Sequence, residues 1–446
     1  MKTSFLPLLF AAALASVASL FAKNAHETVR LQIDIDRAVL PADSTERAVV
    51  KIGFNCLPLP RRESRPPVNL ALVIDRSGSM SGDRIAKARE AALELVRRLG
   101  PDDVVALIAF DSEVETLVSA RRVGNARGLE AAICSIEARG NTALYGGVAQ
   151  GAEQVRRHIE DEKYINRVIL LSDGLANVGP SSPDELGRLG AALLGQGISV
   201  TTIGLGLGFN EDLMARLAQR SDGNTYFVQN SADLPRIFAA ELGDVLNVVA
   251  RRVVVSVDFP EGVRPLNFVG REGVIRGQQA ELTLNQLYGG QEKFALVEVE
   301  ISPASAGVER EIARAHLTYE DALNQRTATL SARRAVQFSS NTKIVVSSAD
   351  HRVQADYAAN ALAVAKDKAI ALVDAGRRDD AAKLLRQQSK ELKAMGDLYG
   401  NVSVQASAAA AAPEAEKLER DGLSNVDRKS YRSESQQTRN QQSSVR

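Results

Sequence analysis

The sequence has 446 residues, 45% of them hydrophobic, and it carries 55 basic and 55 acidic side chains. This length and apolar content are sufficient for two or three packed domains, which excludes a chain that is disordered as a whole. Because the formal net charge is zero, no global electrostatic field favours nucleic acid or an anionic membrane, and binding must come from a local site.

The N-terminus has the pattern of a secretory signal. Lys2 is followed by an uncharged apolar run from Phe5 to Ala22, with small residues suited to cleavage before Lys23. We therefore predict a signal peptide over residues 1–25 and an exported protein, either periplasmic or secreted to the cell surface. The run is also just long enough to remain as an uncleaved anchor. No later run is long enough to cross a bilayer, so we expect no transmembrane span in the mature chain.

The next three segments predict an α/β domain between two groups of strands. Residues 26–67 alternate apolar and polar side chains with the period of half-buried strands and end in a proline- and arginine-rich linker. Over 68–250, short apolar runs alternate with amphipathic helices, as in a doubly wound, mostly parallel sheet covered on both faces. The period of two returns over 251–345. The economical interpretation is one β-sandwich into which the α/β domain is inserted, although separate flanking domains are an alternative.

The C-terminal part of the sequence predicts helices followed by a disordered tail. Residues 346–400 are helical in pattern and break near Gly376, which indicates a helical hairpin. It resembles a single tetratricopeptide-style unit, but stacked repeats need about three copies, so a helical cap on a neighbouring domain is favoured. Residues 401–446 contain polyalanine and a polar, glutamine-rich end. We expect this tail to be disordered because it cannot bury enough apolar surface.

Three segments of the α/β domain place side-chain oxygens where strands and turns end. Asp75, Ser77 and Ser79 follow the first strand directly, Thr142 lies in a turn before a helix, and Asp173 follows another core strand. In an open parallel sheet, ligands bind beyond the carboxyl ends of the strands, so these oxygens are expected at one crevice. Carboxylates and hydroxyls are hard donors that suit Mg²⁺ or Mn²⁺.

The order Asp-x-Ser-x-Ser, Gly-x-Thr-x-Leu and apolar-Ser-Asp-Gly resembles the von Willebrand factor A domain family, over about residues 68–250. The resemblance implies that the five residues form a metal-dependent adhesion site, some contacting the ion directly and some through water. It also implies a protein or peptide partner that presents an Asp or Glu carboxylate to the metal. One departure is Arg76, which points away if the loop is regular but could instead touch the ligand. The flanking segments look similar to exported bacterial members of the family.

Other classes of function fit the same residues less well. A phosphoaspartyl enzyme using Asp75 as nucleophile would also need a general acid nearby, and Ser77 is poor at that task. A serine hydrolase requires serine at the centre of its Gly-x-Ser-x-Gly elbow, where this sequence has Met80. A structural envelope module, in which metal only stiffens the loops, is a further alternative. We predict a non-enzymatic binding protein with no nucleic-acid partner.

Several residues mimic other sites. The glycines of residues 204–208 suggest a dinucleotide fingerprint, but the spacing is wrong and a loop leading to a helix capped by Asn210 is favoured. Asp83 is interpreted as a helix cap rather than a second metal ligand. Cys56 and Cys134 are too few for a cysteine zinc site; an exported protein can form disulfides, but cysteines in different predicted domains are more often unpaired and buried.

Overall fold

The computed structural model describes residues 28–58, 65–124, 126–161 and 163–442. The predicted signal peptide at residues 1–25 lies outside the described residues, as does most of the predicted linker that ends at residue 67. Among the residues that are described, no helix combines the length and apolar character that crossing a bilayer requires.

The described strands and helices follow one another in four blocks along the chain: strands, an α/β block, a second group of strands and a group of helices. The strands are β1 (Val29–Ile35), β2 (Val39–Pro41), β3 (Glu46–Cys56), β4 (Val68–Asp75), β5 (Val104–Phe110), β6 (Val114–Arg122), β7 (Ile165–Ser172), β8 (Ile198–Leu205), β9 (Thr225–Val228), β10 (Val248–Asp258), β11 (Val263–Val269), β12 (Val274–Arg276), β13 (Gln279–Tyr288), β14 (Glu292–Ile301), β15 (Glu309–Asp321) and β16 (Arg326–Ser339). The helices are α1 (Asp83–Arg97), α2 (Arg127–Cys134), α3 (Leu144–Arg156), α4 (Pro183–Gly195), α5 (Glu211–Arg220), α6 (Leu234–Val245), α7 (Thr342–Ser347), α8 (His351–Asp374), α9 (Arg378–Tyr399), α10 (Val402–Asp421) and α11 (Asn425–Arg439).

The α/β domain is built on a six-stranded sheet of order β6-β5-β4-β7-β8-β9. Its strands run parallel except for β6, which is antiparallel to β5. Side chains of β4 alternate between faces: Leu72 packs in the cluster with α1 and α6, and Val73 in the cluster with α3, α4 and α5. A sheet covered on both faces buries its central strands completely, and every residue of β4 is buried. The predicted doubly wound, mostly parallel fold is confirmed.

Strands from both sides of the α/β domain share the two remaining sheets. One sheet has the order β1-β3-β14-β11 and the other β12-β13-β10-β15-β16-β2. Apolar side chains from both sheets form a single core, for example Ile52 of β3 and Leu317 of β15. The α/β domain therefore stands between strands of one β-sandwich, which is the inserted arrangement that the sequence favoured.

The structure confirms the helical hairpin, as α8 and α9, and contradicts the disordered tail. Residues 402–421 form α10 and residues 425–439 form α11. Helix α10 lies along α9 and buries Ala408, Ala411 and Ala415. Alanine exposes little side chain to bury but loses no rotamer freedom and allows helices to approach closely. The prediction of disorder failed because it judged the tail by its lack of large apolar side chains, whereas small alanines are sufficient for this helix packing.

Helix α11 is anchored by charges that are distant in sequence. Arg428 pairs with Glu211 and Asp212 of α5, and Arg432 pairs with Asp212 and with Asp367 of α8. These partners lie 65 to 220 residues before the arginines along the chain. A polar segment can thus be ordered by complementary charge, which its own composition does not reveal.

Both cysteines are free thiols. Cys56 is buried and Cys134 is exposed. The expectation that they are unpaired is confirmed, but the expectation that they are buried holds for Cys56 alone.

Candidate metal site

Two buried carboxylates lie at the carboxyl edge of the α/β sheet. Strand β4 ends at Asp75, and the neighbouring strand β7 ends at Ser172, directly before Asp173. Both aspartates have no exposed surface. The Ser172 hydroxyl donates to Asp75 Oδ2 at 2.5 Å, so the ends of the two strands are joined at the carboxylate itself.

The loop after β4 turns its hydroxyls towards these carboxylates. The backbone N–H of Ser77 donates to Asp75 Oδ1 at 2.7 Å. Residues Gly78–Met80 form a single 3₁₀ turn in which Met80 is buried as an anchor. The turn brings Ser77 Oγ and Ser79 Oγ to 3.1 Å from each other. Ser79 Oγ in turn donates to Asp173 Oδ1 at 2.6 Å, which links the first loop to the second carboxylate.

Thr142 reaches the same point from a third loop. Its backbone N–H donates to Asn177 Oδ1 at 2.9 Å, which fixes the loop before α3. A Cβ placed on Gly174 would lie 2.9 Å from Thr142 Oγ1 and 3.6 Å from both Ser77 Oγ and Ser79 Oγ. Three hydroxyl oxygens therefore surround the space that the glycine leaves free.

The structure thus brings together all five residues that the sequence predicted. Their donor set is two carboxylates and three hydroxyls. Among the residues that the structure describes, no group of three or more His, Cys, Asp or Glu side chains could hold a metal ion. A cation at this edge would therefore depend on the hydroxyls of Ser77, Ser79 and Thr142 as much as on the two carboxylates.

Burial and like charge both act on Asp75. Burial raises the pKa of the Asp75 carboxyl to about 6, and the nearby negative charge of Asp173 adds to the rise. Hydrogen bonds from Ser172 and Ser77 favour the charged form of the carboxyl, so they oppose this rise in its pKa. Positive charge brought to this edge would favour the ionised carboxylate.

Two residues of the site were missed at the sequence level. Ser172 stands inside the Ser-Asp-Gly motif, so its place was visible, but its hydrogen bond to Asp75 was not. Arg84, in the first turn of α1, forms an ion pair with Asp173 Oδ2 and donates to the Ser79 carbonyl at 3.2 Å. Its side chain is 40% exposed. No local motif marks Arg84, because its partner lies 89 residues further along the chain.

Arg76 does not contact the carboxylates. Its guanidinium is buried and pairs with Asp111 and Glu115, each at 2.8 Å. Of the two possibilities that the sequence left open, the side chain points away from Asp75. Arg139 also pairs with Asp111, at 2.9 Å, and is 63% exposed.

The residues that mimic other sites have structural roles. Asn210 caps α5 by accepting from Leu213 N at 3.1 Å, as predicted. A Cβ on Gly204 would lie 2.3 Å from the Phe209 ring, so close packing accounts for that glycine. The assignment of Asp83 as a helix cap is wrong, because Gly82 is the cap residue. Asp83 lies in the first turn, where its negative charge interacts favourably with the positive end of the helix dipole.

The sheet order and the three converging loops define a von Willebrand factor A-type fold. The profile of the von Willebrand factor type A domain matches residues 69–240. The chain therefore contains a domain of this family, whose members often mediate protein–protein interaction.

Relatives in sequence are found in bacteria and animals. Uncharacterized protein sll0103 of Synechocystis sp. is 27% identical over 60% of this chain and 65% of its own length. Uncharacterized protein YfbK of Escherichia coli is 26% identical over 48% of this chain and 37% of its own length. Inter-alpha-trypsin inhibitor heavy chain H3 of Homo sapiens is 26% identical over 44% of this chain and 22% of its own length. In each case the match spans less than two thirds of the relative.

Two solved structures share the fold over most of the chain. A von Willebrand factor type A protein from Catenulispora acidiphila has a TM-score of 0.62 at 17% identity, covering 83% of this chain and 90% of its own. The ArnB paralog VWA2 from Sulfolobus acidocaldarius has a TM-score of 0.59 at 17% identity, covering 92% and 98%. At this identity the likeness concerns the fold, including the parts outside the α/β domain.

Proposed function

We propose that this chain is an exported, non-enzymatic binding protein that captures an acidic group of a protein or peptide partner through a divalent cation. The residues that would hold the cation are Asp75, Ser77, Ser79, Thr142 and Asp173. The observation that carries the proposal is the convergence of three hydroxyl oxygens around Gly174, beside two buried carboxylates.

The donor set fits Mg²⁺ or Mn²⁺. All five side chains offer hard oxygen, and the two carboxylates balance the charge of a divalent ion while the hydroxyls add none. A bound cation would offer a Lewis-acidic coordination position to a carboxylate of the partner. The chain's own contribution is orientation, since Ser172 and the Ser77 N–H fix the Asp75 carboxylate on both oxygens.

The pairing of Arg84 with Asp173 is a second observation that supports a cation site at this edge of the sheet. The guanidinium already brings positive charge to Asp173, which indicates that this edge of the sheet attracts cations. Because the side chain is 40% exposed, it can turn to solvent without burying an unpaired charge. Arg84 and a divalent cation would therefore compete for the same carboxylate.

Export is supported by the N-terminal sequence. The apolar run of residues 5–22 behind Lys2 has the order of a secretory signal. We therefore place the proposed partner in the periplasm, in the envelope or outside the cell.

A pull-down from envelope extract tests the proposal. The wild-type chain is expected to retain a partner in Mg²⁺ and to lose it in excess chelator, and Asp173→Ala is expected to retain nothing in either condition. Glu153→Ala is the matched control, because Glu153 is an exposed carboxylate of α3 that pairs with Arg156 at 3.2 Å; it should behave as the wild type.

Three outcomes would contradict the proposal. Retention that survives chelator would show that the partner does not use a metal. Metal that raises thermal stability without any retained partner would favour a structural module. Turnover of phosphate or ester substrates by the purified chain, lost in Asp75→Ala, would favour the enzyme alternative.

A further inference from the structure

Two exposed leucines flank the carboxylates of the candidate site. Within the described residues of the α/β domain, the large hydrophobic side chains left exposed are Leu175, at 60%, and Leu207, at 46%. Leu175 is two residues from Asp173. A single exposed leucine is ordinary, so the case for a shared contact surface depends on how the loops that carry these two leucines adjoin Asp173.

The loop that carries Leu175 is fixed to the site. The backbone N–H groups of Asn177 and Val178 donate to the Thr142 carbonyl at 3.2 and 3.3 Å. Thr142 donates back to Asn177 Oδ1 at 2.9 Å. Leu175 is therefore exposed on a loop whose backbone is held in place by hydrogen bonds.

The loop that carries Leu207 is fixed on the other side. A Cβ on Gly208 would lie 2.6 Å from the Asp173 carbonyl oxygen, so this loop packs directly on the backbone of Asp173. Phe209 is buried, and Lys429 of α11 donates to its carbonyl at 2.6 Å. Both leucines are thus presented by ordered backbone next to Asp173.

Positive charge accompanies the leucines. A nitrogen of the Arg84 guanidinium lies 3.1 Å from where a Cβ on Gly206 would be, directly beside Leu207. Arg139, 63% exposed, precedes Gly140, whose carbonyl accepts from Gly78 N at 3.0 Å. The exposed surface around the carboxylates therefore combines two leucines with two partly exposed guanidinium groups, of which Arg84 pairs with Asp173 and Arg139 with Asp111 and Glu115. A segment that is apolar and acidic complements the leucines and these guanidinium groups.

We infer that Leu175 and Leu207 form an apolar rim that selects partners whose acidic residue is flanked by apolar side chains. The inference rests on the proposed function, because the acid itself would bind at the cation. The occupant is an extended protein segment in which Asp or Glu stands next to leucine-sized residues. A bilayer is a poorer occupant, since membrane-binding surfaces present a much larger continuous apolar face.

Three short peptides separate the contributions of the acid and of its neighbours. The probes are fluorescently labelled Gly-Leu-Glu-Leu-Gly, Gly-Ser-Glu-Ser-Gly and Gly-Leu-Gln-Leu-Gly, titrated against the full chain by anisotropy up to millimolar concentration, with Mg²⁺ and with chelator. In Mg²⁺ the leucine-flanked acid should bind about tenfold more tightly than the serine-flanked acid, or ~1.4 kcal/mol. The amide peptide should bind no more tightly in Mg²⁺ than it does in chelator.

Variants assign the difference to the rim. In Leu175→Ser/Leu207→Ser the tenfold preference should fall below about twofold, while the Mg²⁺ affinity measured by calorimetry stays at the wild-type value. Leu398→Ser is the matched control, because Leu398 is 57% exposed on α9, in the helical region. It should keep the full preference.

The outcomes distinguish this inference from the function on which it rests. Equal affinity for the two acidic peptides, with Mg²⁺ dependence retained, overturns the rim and leaves the metal-dependent capture of acids intact. No difference between acid and amide, or no effect of Mg²⁺, overturns the proposed function and the rim together. Tight binding of the wild type to phospholipid vesicles, lost in the double leucine variant, overturns the assigned class of partner.

Discussion

The two ends of strand β7 both bury charge, and they do so in opposite ways. Arg167 lies near the start of the strand, and Asp173 follows its end, roughly 20 Å further at about 3.3 Å per residue. Neither side chain has exposed surface. The comparison between them separates a charge that holds the structure together from a charge that is available to a ligand.

At the start of β7 the charges neutralise one another inside the protein. Arg167 lies 3.5 Å from Glu241 of α6 and donates to Tyr288 Oη at 2.6 Å and to Gln286 Oε1 at 2.8 Å. Tyr288 and Gln286 belong to β13, so the cluster joins the α/β domain to the sandwich. Glu241 also accepts from Thr201 Oγ1 at 2.5 Å. The charge of Arg167 is therefore matched by an opposite charge and by hydrogen bonds from inside the protein.

At the end of β7 the buried charges have the same sign. Asp75 and Asp173 lie beside neutral hydroxyls, and Arg84, which pairs with Asp173, is partly exposed. A buried carboxylate without full internal neutralisation is costly unless positive charge arrives. Burial of charge alone therefore does not indicate a binding site; the sign and the exposure of its partners do.

The largest effect is expected from breaking the internal pair. Glu241→Ala leaves Arg167 buried without its carboxylate, which should lower the free energy of unfolding by about 3–5 kcal/mol. Denaturant titration measures the change. The Mg²⁺ affinity of the folded chain should not change, because the pair lies at the opposite end of the strand.

Glu272→Ala is the control for this prediction. Glu272 pairs with Arg216 and Arg220 but is 43% exposed, so its loss should cost less than about 1 kcal/mol. Equal effects of the two variants would contradict the distinction between the ends of β7.

Filling the space at Gly174 should affect the carboxyl end without removing any donor. Gly174→Ala places a methyl group 2.9 Å from Thr142 Oγ1. We expect the Mg²⁺ affinity to fall at least about 100-fold, or ~2.8 kcal/mol, by calorimetry. Gly195→Ala is the control, since among the described residues no heavy atom outside the adjoining backbone of its own helix lies within 4 Å of the added Cβ. Unchanged affinity in Gly174→Ala would place the cation elsewhere.

The smallest expected effect concerns the chain's own cation. Arg84→Ala removes the guanidinium that pairs with Asp173, so the Mg²⁺ affinity should rise about fivefold, or ~1 kcal/mol. Arg97→Ala, on the same helix and paired with Glu130 at the surface, should leave it unchanged. Weaker binding in Arg84→Ala would mean that the guanidinium assists the cation.

The sequence was most informative where structure is local. The apolar strand of residues 68–74 and the oxygen-bearing residues that follow it are contiguous, so both the sheet and the three loops could be predicted from short patterns. Arg84 was missed because only the folded chain brings it to Asp173. The edge strand β9 has four residues, too few for a periodic signal.

The C-terminal tail shows the opposite limit. Its polar composition predicted disorder, but Arg428 and Arg432 find carboxylates on α5 and α8 that no local pattern connects to them. Order that depends on distant charge complementarity, or on closely packed alanines such as Ala411, requires the tertiary structure to be known first.

A calorimetric titration of the full chain with Mg²⁺ tests the central claim most directly. The wild type is expected to bind one Mg²⁺, and Asp173→Asn, which keeps the shape of the side chain and removes its charge, is expected to bind none over the same concentration range. Binding of equal affinity in the variant, or no binding of Mg²⁺ or Mn²⁺ by the wild type, would contradict the assignment of this edge of the sheet as a metal site.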